Sequence, residues 1–160
     1  VERGIWIHDE TSTEERGTNH FYVYLVQTSR GTWPRLAINF THPSWSGIRM
    51  IIVDVDGERY TSPVSLKEVK IGIDGKGSFL TVDLDAEDHG EILKKIGNSK
   101  KVTVQYRGNK DQKNHYYGDV QLSSDQITAV KRMYRLYEIY HALEEHRSIS
   151  SLADCLNKNE

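Results

Sequence analysis

The run Ile48-Arg49-Met50-Ile51-Ile52-Val53-Asp54-Val55 is the longest apolar stretch of the chain, and Asp56-Gly57 separates it from Glu58-Arg59-Tyr60. β-Branched and apolar residues suit a pleated, half-buried surface. An Asp-Gly pair tolerates positive φ at both central positions of a type I′ turn, whose twist matches the strands it joins. The stretch therefore predicts a buried strand that folds back tightly into a second strand carrying Tyr60.

Alternation recurs on both sides of this hairpin. Gly4-Ile5-Trp6-Ile7-His8 reads as a short first strand, and the polar segment from Asp9 to Asn19 as a loop. In His20 to Gln27, Phe21, Val23 and Leu25 share one face, while Tyr22, Tyr24 and Val26 share the other. Thr28-Ser29-Arg30-Gly31 is turn chemistry, and Trp33-Pro34 leads into a strand over Leu36 to Phe40. Val69 to Ile73 and Ser78 to Leu84 form a second hairpin about Asp74-Gly75-Lys76-Gly77. Asp85 is placed to cap a short helix over Ala86 to Ile96, with acidic residues in its first turn and Lys94 and Lys95 in its last. Gly97-Asn98 is the expected stop. Two more strands follow, Lys101 to Arg107 and His115 to Leu122.

Ser123-Ser124-Asp125-Gln126 has the form of a capping box and opens a long helix to about Glu145. Ile127, Val130, Tyr134, Tyr137 and Tyr140 recur on one face of it. Ser148 is expected to begin a last short helix with Ile149, Leu152 and Leu156. The fold class is thus mainly β: a β-sandwich or open barrel of about eight strands, with one short inserted helix and a long C-terminal helix. Its 160 residues suit a single domain, 1–160, with a helical cap over 123–156.

Charge and composition narrow the function classes. A net charge of −2 gives no strong field, so neither a nucleic acid nor an anionic membrane is implied as partner. No apolar run approaches the roughly 20 residues of a membrane helix. The single cysteine, Cys155, cannot form an internal disulfide. No serine elbow, HExxH, CxxC or phosphate-cradling glycine loop occurs, so the reading is of a non-enzyme without a cofactor.

Two local patterns resemble metal chemistry. Asp54-Val55-Asp56-Gly57-Glu58 opens like a calcium loop, but Pro63, Ser65 and Leu66 follow, and strands rather than helices flank it. A site assembled in space from His8, Asp9, His20 or His42 is the other. His141 and His146 stand about 140° apart on a helix and do not converge. Nine tyrosines and three tryptophans point instead to an aromatic contact surface. Tyr22, Tyr24, Trp33, Trp45, Tyr116 and Tyr117 are its candidate residues, since such side chains bring large area at low entropic cost.

From Trp45 onward the order of features resembles a known group. Trp45 is followed by a strand with Arg49, then Val55-Asp56-Gly57 and Tyr60. Lys94-Lys95-Ile96, Asn98-Ser99-Lys100-Lys101-Val102 and Val104-Gln105-Tyr106-Arg107-Gly108 come next, and Leu122-Ser123 opens a helix with Ile127 and Tyr137. This resembles the small β-sandwich proteins of bacteria grouped around the invasion-associated locus B family and related exported domains. The resemblance implies a non-enzymatic domain, periplasmic or otherwise exported. The expected function is binding of another macromolecule, in the first instance a protein, through an aromatic sheet face or loop end. The alternatives are a small-molecule or metal-binding module or hydrolase with a His/Asp site, and a subunit that assembles through an edge strand or the Tyr137 to Leu143 helix face.

Overall fold

A computed structural model describes residues 4–10, 20–41, 50–63, 69–74, 77–85, 90–107 and 116–157. Along the chain come strands β1 (Ile5–His8), β2 (His20–Thr28), β3 (Gly31–Thr41), β4 (Met50–Val55), β5 (Glu58–Pro63), β6 (Val69–Asp74) and β7 (Gly77–Asp85). Helix α1 (Gly90–Asn98), strands β8 (Val102–Arg107) and β9 (Tyr116–Gln121), and helix α2 (Ser124–Asn157) complete the order. The described strands number one more than the eight or so expected. They form two open antiparallel sheets, one ordered β1-β2-β3-β7-β6 and the other β5-β4-β8-β9.

The Asp56-Gly57 turn forms as anticipated, with φ of 51° and 94°. Val55 pairs with Glu58 and the register runs to Met50 with Pro63. Both aspartates of the turn are spent on holding it. Asp54 Oδ1 accepts the Gly57 N–H at 2.9 Å, and its other oxygen lies 3.4 Å from Arg59 Nε. Asp56 accepts the N–H groups of Lys100 (3.2 Å) and Lys101 (2.8 Å), and its own N–H donates to the Lys101 carbonyl at 2.9 Å. The hairpin tip is thereby tied to the segment between α1 and β8.

Asp56→Ala removes those acceptors and places a Cβ residue without a local hydrogen bond at positive φ. A loss of about 1–2 kcal/mol is expected by urea unfolding. Asp56→Gly relieves φ but not the missing acceptors. A smaller but nonzero loss in that variant separates the two contributions.

Register decides which strand faces meet. β4 and β8 alternate strictly between buried and half-buried side chains. The buried set from β2, β3, β4 and β8 joins Leu93 and Ile96 of α1 and Ile127, Val130 and Met133 of α2 in one apolar cluster. Tyr134, Tyr137 and Tyr140 pack against it, as the helical spacing predicts. Helix α2 lies on the inner face of the β2–β3 hairpin, where Thr32 Oγ1 donates to Glu144 Oε1 at 3.0 Å. Asp9, 7% exposed, pairs with Arg132 at 3.0 Å and anchors the end of β1 to the same helix.

The capping box is present: the Ser123 N–H donates to Gln126 Oε1 (2.8 Å) and the Gln126 N–H to Ser123 Oγ (3.2 Å). Three expectations about element ends require correction. β3 starts at Gly31, not Leu36, and includes Pro34. β7 ends opposite Arg35, so Pro34 sits where β3 pairs with β2 alone and a missing N–H is tolerated.

Asp85 ends β7, 3.5 Å from Arg35. Residues 86–89, on which the expected helix start falls, lie outside the described residues, and α1 is described from Gly90 to Asn98. Gly97 is a buried helical residue rather than a stop; α1 ends one residue later, where Ser99 Oγ and N–H both donate to the Ile96 carbonyl. Finally, α2 runs unbroken to Asn157. No Gly or Pro interrupts it near residue 147, and Ser148 Oγ bonds back to the Glu144 carbonyl at 3.0 Å instead of capping a new helix. No described helix is long and apolar enough to cross a membrane.

Candidate functional site

The outer face of the five-stranded sheet, opposite the shared core, carries most of the described candidate aromatics. Leu25 pairs with Ile7 and Pro34 on the inner side, which sends the neighbouring residues outward. Trp6, Val26 and Trp33 then form one cross-strand row, and His8, Tyr24, Arg35 and Asp85 the next. Tyr22 stands beside Ala37 in a third. Cross-strand neighbours of this kind are the unit of sheet stabilisation.

Within these rows the rings stack. Trp6 lies 5.2 Å from Tyr24 between centroids with planes 10° apart. His8 lies 5.3 Å from the same ring at 14°. Tyr22 leans on both Tyr24 and His8 at 6.1 Å. Such pairs contribute about 0.5–1.5 kcal/mol each beyond area burial.

Tyr24 is only 3% exposed, so it supports the surface and is not itself available for contact, which corrects the expectation for it. Tyr22 and Trp33 are half-buried on the same face. Trp6, which sequence reasoning did not select, is 57% exposed and is the open member of the group. Its alternation with His8 was visible, but the β1–β2 register that brings it to Tyr24 was not. Trp45 lies outside the described residues. Tyr116 and Tyr117 lie on β9 of the other sheet, and their side chains are outside those described.

Within the His8-Asp9-His20 set, His8 and Asp9 turn apart. His8 stacks on the outer face, whereas the Asp9 carboxylate turns to Arg132 of α2. The His20 side chain and all of His42 are outside the described set. Among the described residues no group of three His, Cys, Asp or Glu side chains could hold a metal. His141 contacts Glu145 and Tyr137, and His146 faces Ser150.

A second cluster, also unanticipated, lies where α1 meets β5. Lys95 Nζ donates to both Glu58 oxygens at 2.9 and 3.0 Å and to the Tyr60 hydroxyl, and it stands 5.0 Å from the Tyr60 ring centre. The Tyr60 and then the Glu58 hydrogen bonds hold the ammonium well above the usual lysine range. The Tyr60 and Lys95 hydrogen bonds hold the Glu58 carboxyl below its ordinary value. Burial first, then Glu58, pushes the Tyr60 phenol up.

A lysine held protonated is the reverse of what nucleophilic amine chemistry needs. The adjoining open hollow of about 500 Å³ mixes Asp56, Glu58 and Glu91 with Lys94 and Lys95, so neither charge dominates it. The cluster is a strut between helix and strand. Among the described residues, the outer face at Trp6, Tyr22 and Trp33 is where aromatic side chains gather at the surface. No protein-family model, no curated protein and no solved structure matches this chain.

Proposed function

We propose that the protein is a non-catalytic binding domain whose five-stranded sheet holds another protein against its aromatic outer face. The observation that carries the reading is Trp6: a large, exposed ring fixed by stacking on a buried tyrosine, with Tyr22 and Trp33 alongside. Pre-ordered aromatics of this kind anchor interfaces because little conformational freedom remains to be lost on binding. A face-to-face stacking of the two sheets as a sandwich belongs to the same reading, supported by the single apolar cluster that draws on both. So do kinship with the exported proteins of the invasion-associated locus B group and an exported location, which cell fractionation checks.

The test is affinity capture with the wild-type chain, Trp6→Ala and Tyr22→Ala, each verified by circular dichroism to be folded. A partner held by the wild type and weakened tenfold or more by Trp6→Ala is expected, in line with a hot-spot loss of about 1.4 kcal/mol or more. Identical partners at equal affinity for all three proteins would remove the reading.

A further inference from the structure

A hollow of about 180 Å³ lies between α1 and α2, next to their close approach at Gly97 and Lys131. Leu93 and Gly97, both buried, supply its apolar base, and half-buried Tyr134 lines it from α2. Lys94 of α1 and Lys131 and Arg135 of α2 line it too, all three exposed. Glu138 is the one carboxylate among its described lining residues.

Lys131 and Arg135 stand four residues apart on α2, a like-charge spacing that destabilises a helix. Among the described residues, none of the three cations has a carboxylate within ion-pair distance. Their neighbours differ: Arg132 holds Asp9, and Lys95 holds Glu58. Lys94, near the end of α1, suits the dipole of that helix. The dipole accounts for neither Lys131 nor Arg135, which lie within the body of α2.

We propose that this hollow binds a small phosphate monoester, its phosphoryl group held by Lys94, Lys131 and Arg135 and its carbon body resting on Leu93, Gly97 and Tyr134. Charge selects the anion. Three cations less Glu138 leave a surplus of two. A phosphate monoester carries about −1.5 to −2 at neutral pH, whereas a carboxylate offsets only half the surplus. A guanidinium meets phosphate oxygens two at a time, and lysine joins as a point charge. The Tyr134 hydroxyl adds a donor, since burial first, then Glu138 and Glu91, keeps the phenol protonated.

Size limits the carbon body. Pockets for drug-sized ligands run to about 300–1,000 Å³, so this one takes a phosphoryl group with one small ring or short chain, not a nucleotide. Exposure sets the strength, because charge contacts open to water are weak and screened by salt. A dissociation constant on the order of 1 mM is expected at low ionic strength. The site shares no residue with the aromatic outer face, so neither reading depends on the other.

Phenyl phosphate is the probe, titrated into the isotope-labelled chain and followed by the backbone amide resonances. Shifts at Leu93, Gly97, Lys131 and Arg135 should saturate together. The double variant Lys131→Ala, Arg135→Ala should weaken binding at least about fivefold, the loss of two exposed contacts. Alanine is the best helix former, so the fold should hold, and the amide spectrum shows whether it does. Lys94→Ala, on the other helix, is the second variant and should weaken binding about twofold.

The control Lys100→Ala, Lys101→Ala removes the same charge away from the hollow and should bind as the wild type does. Inorganic phosphate should move the same amides but bind more weakly. Phenol, which lacks the anion, should leave them in place. No saturation by about 20 mM phenyl phosphate, equal weakening in the two double variants, inorganic phosphate binding as tightly as the ester, or phenol acting as strongly would each overturn the proposal.

Discussion

Tyr106→Ala is expected to lower the unfolding free energy by about 3–5 kcal/mol, the range for deleting a fully buried aromatic ring. Among the described residues Tyr106 is the largest of the fully buried side chains, with no exposed surface. It sits in the central strand β8, directly opposite Ile51 of β4 and Gly118 of β9, so its ring fills the middle of the four-stranded sheet's inner face. With about 2–4 °C of Tm per kcal/mol for a chain of this size, calorimetry should register a fall of roughly 6–20 °C. A shift below 3 °C would mean that the neighbouring side chains close over the gap.

Tyr106→Phe keeps the ring and tests a different property. Burial pushes the Tyr106 phenol well above the tyrosine range. The unfolded chain therefore releases this proton first as pH rises. The group's contribution is fully present below about pH 10 and is lost above it, at up to about 1.4 kcal/mol per pH unit. Tyr60, Lys95 and Tyr134 are shifted in the same upward direction. Stability of the wild type should consequently decline above pH 10. Tyr106→Phe should decline less steeply, as read from urea midpoints between pH 8 and 11, the window set by the ordinary phenol value.

Gly97→Val should be the most damaging substitution in α1, and Gly97→Ala should already be destabilising. In a solvated helix, Gly→Ala gains about 1 kcal/mol of propensity. At Gly97 the added Cβ would stand 2.9 Å from both Cα and Cβ of Lys131, atoms that belong to or adjoin the α2 backbone. One helix must move, at a cost of about 1–3 kcal/mol that outweighs the propensity gain. Gly90 supplies the control in the same helix. Its Cβ would meet the Tyr134 ring and hydroxyl at 3.5–3.6 Å, ordinary contact, so Gly90→Ala should be neutral or stabilising. Equal melting temperatures for Gly97→Ala and Gly90→Ala would remove the close-approach explanation.

Much of the secondary structure could be read without coordinates because its causes are local. Asp56 and Gly57 adopt positive φ because Asp tolerates that region and Gly favours it. Ser123 and Gln126 close on each other across one helical turn, a contact their spacing alone creates. The alternating burial of β4 and β8 follows from the period of a strand.

The aromatic surface was half legible for the same reason. Tyr22 and Tyr24 share a face by alternation, but which is buried depends on what lies across from them. His8 opposes Tyr24 and Trp6 stacks on it from the next pair on the same face, and that pairing joins strands far apart in the chain.

By itself, then, the order of residues determined the hairpin, the strand faces, the start of the long helix and a core of β-branched and aromatic side chains. Each of these depends on atoms a few positions apart. Only the tertiary structure decided that Gly97 serves close helix approach instead of helix termination, that Asp85 lies beside Arg35, and that Tyr24 is support while Trp6 is surface. In those cases the deciding neighbour is distant in the chain, and a side chain's role is set by the atoms that pack against it.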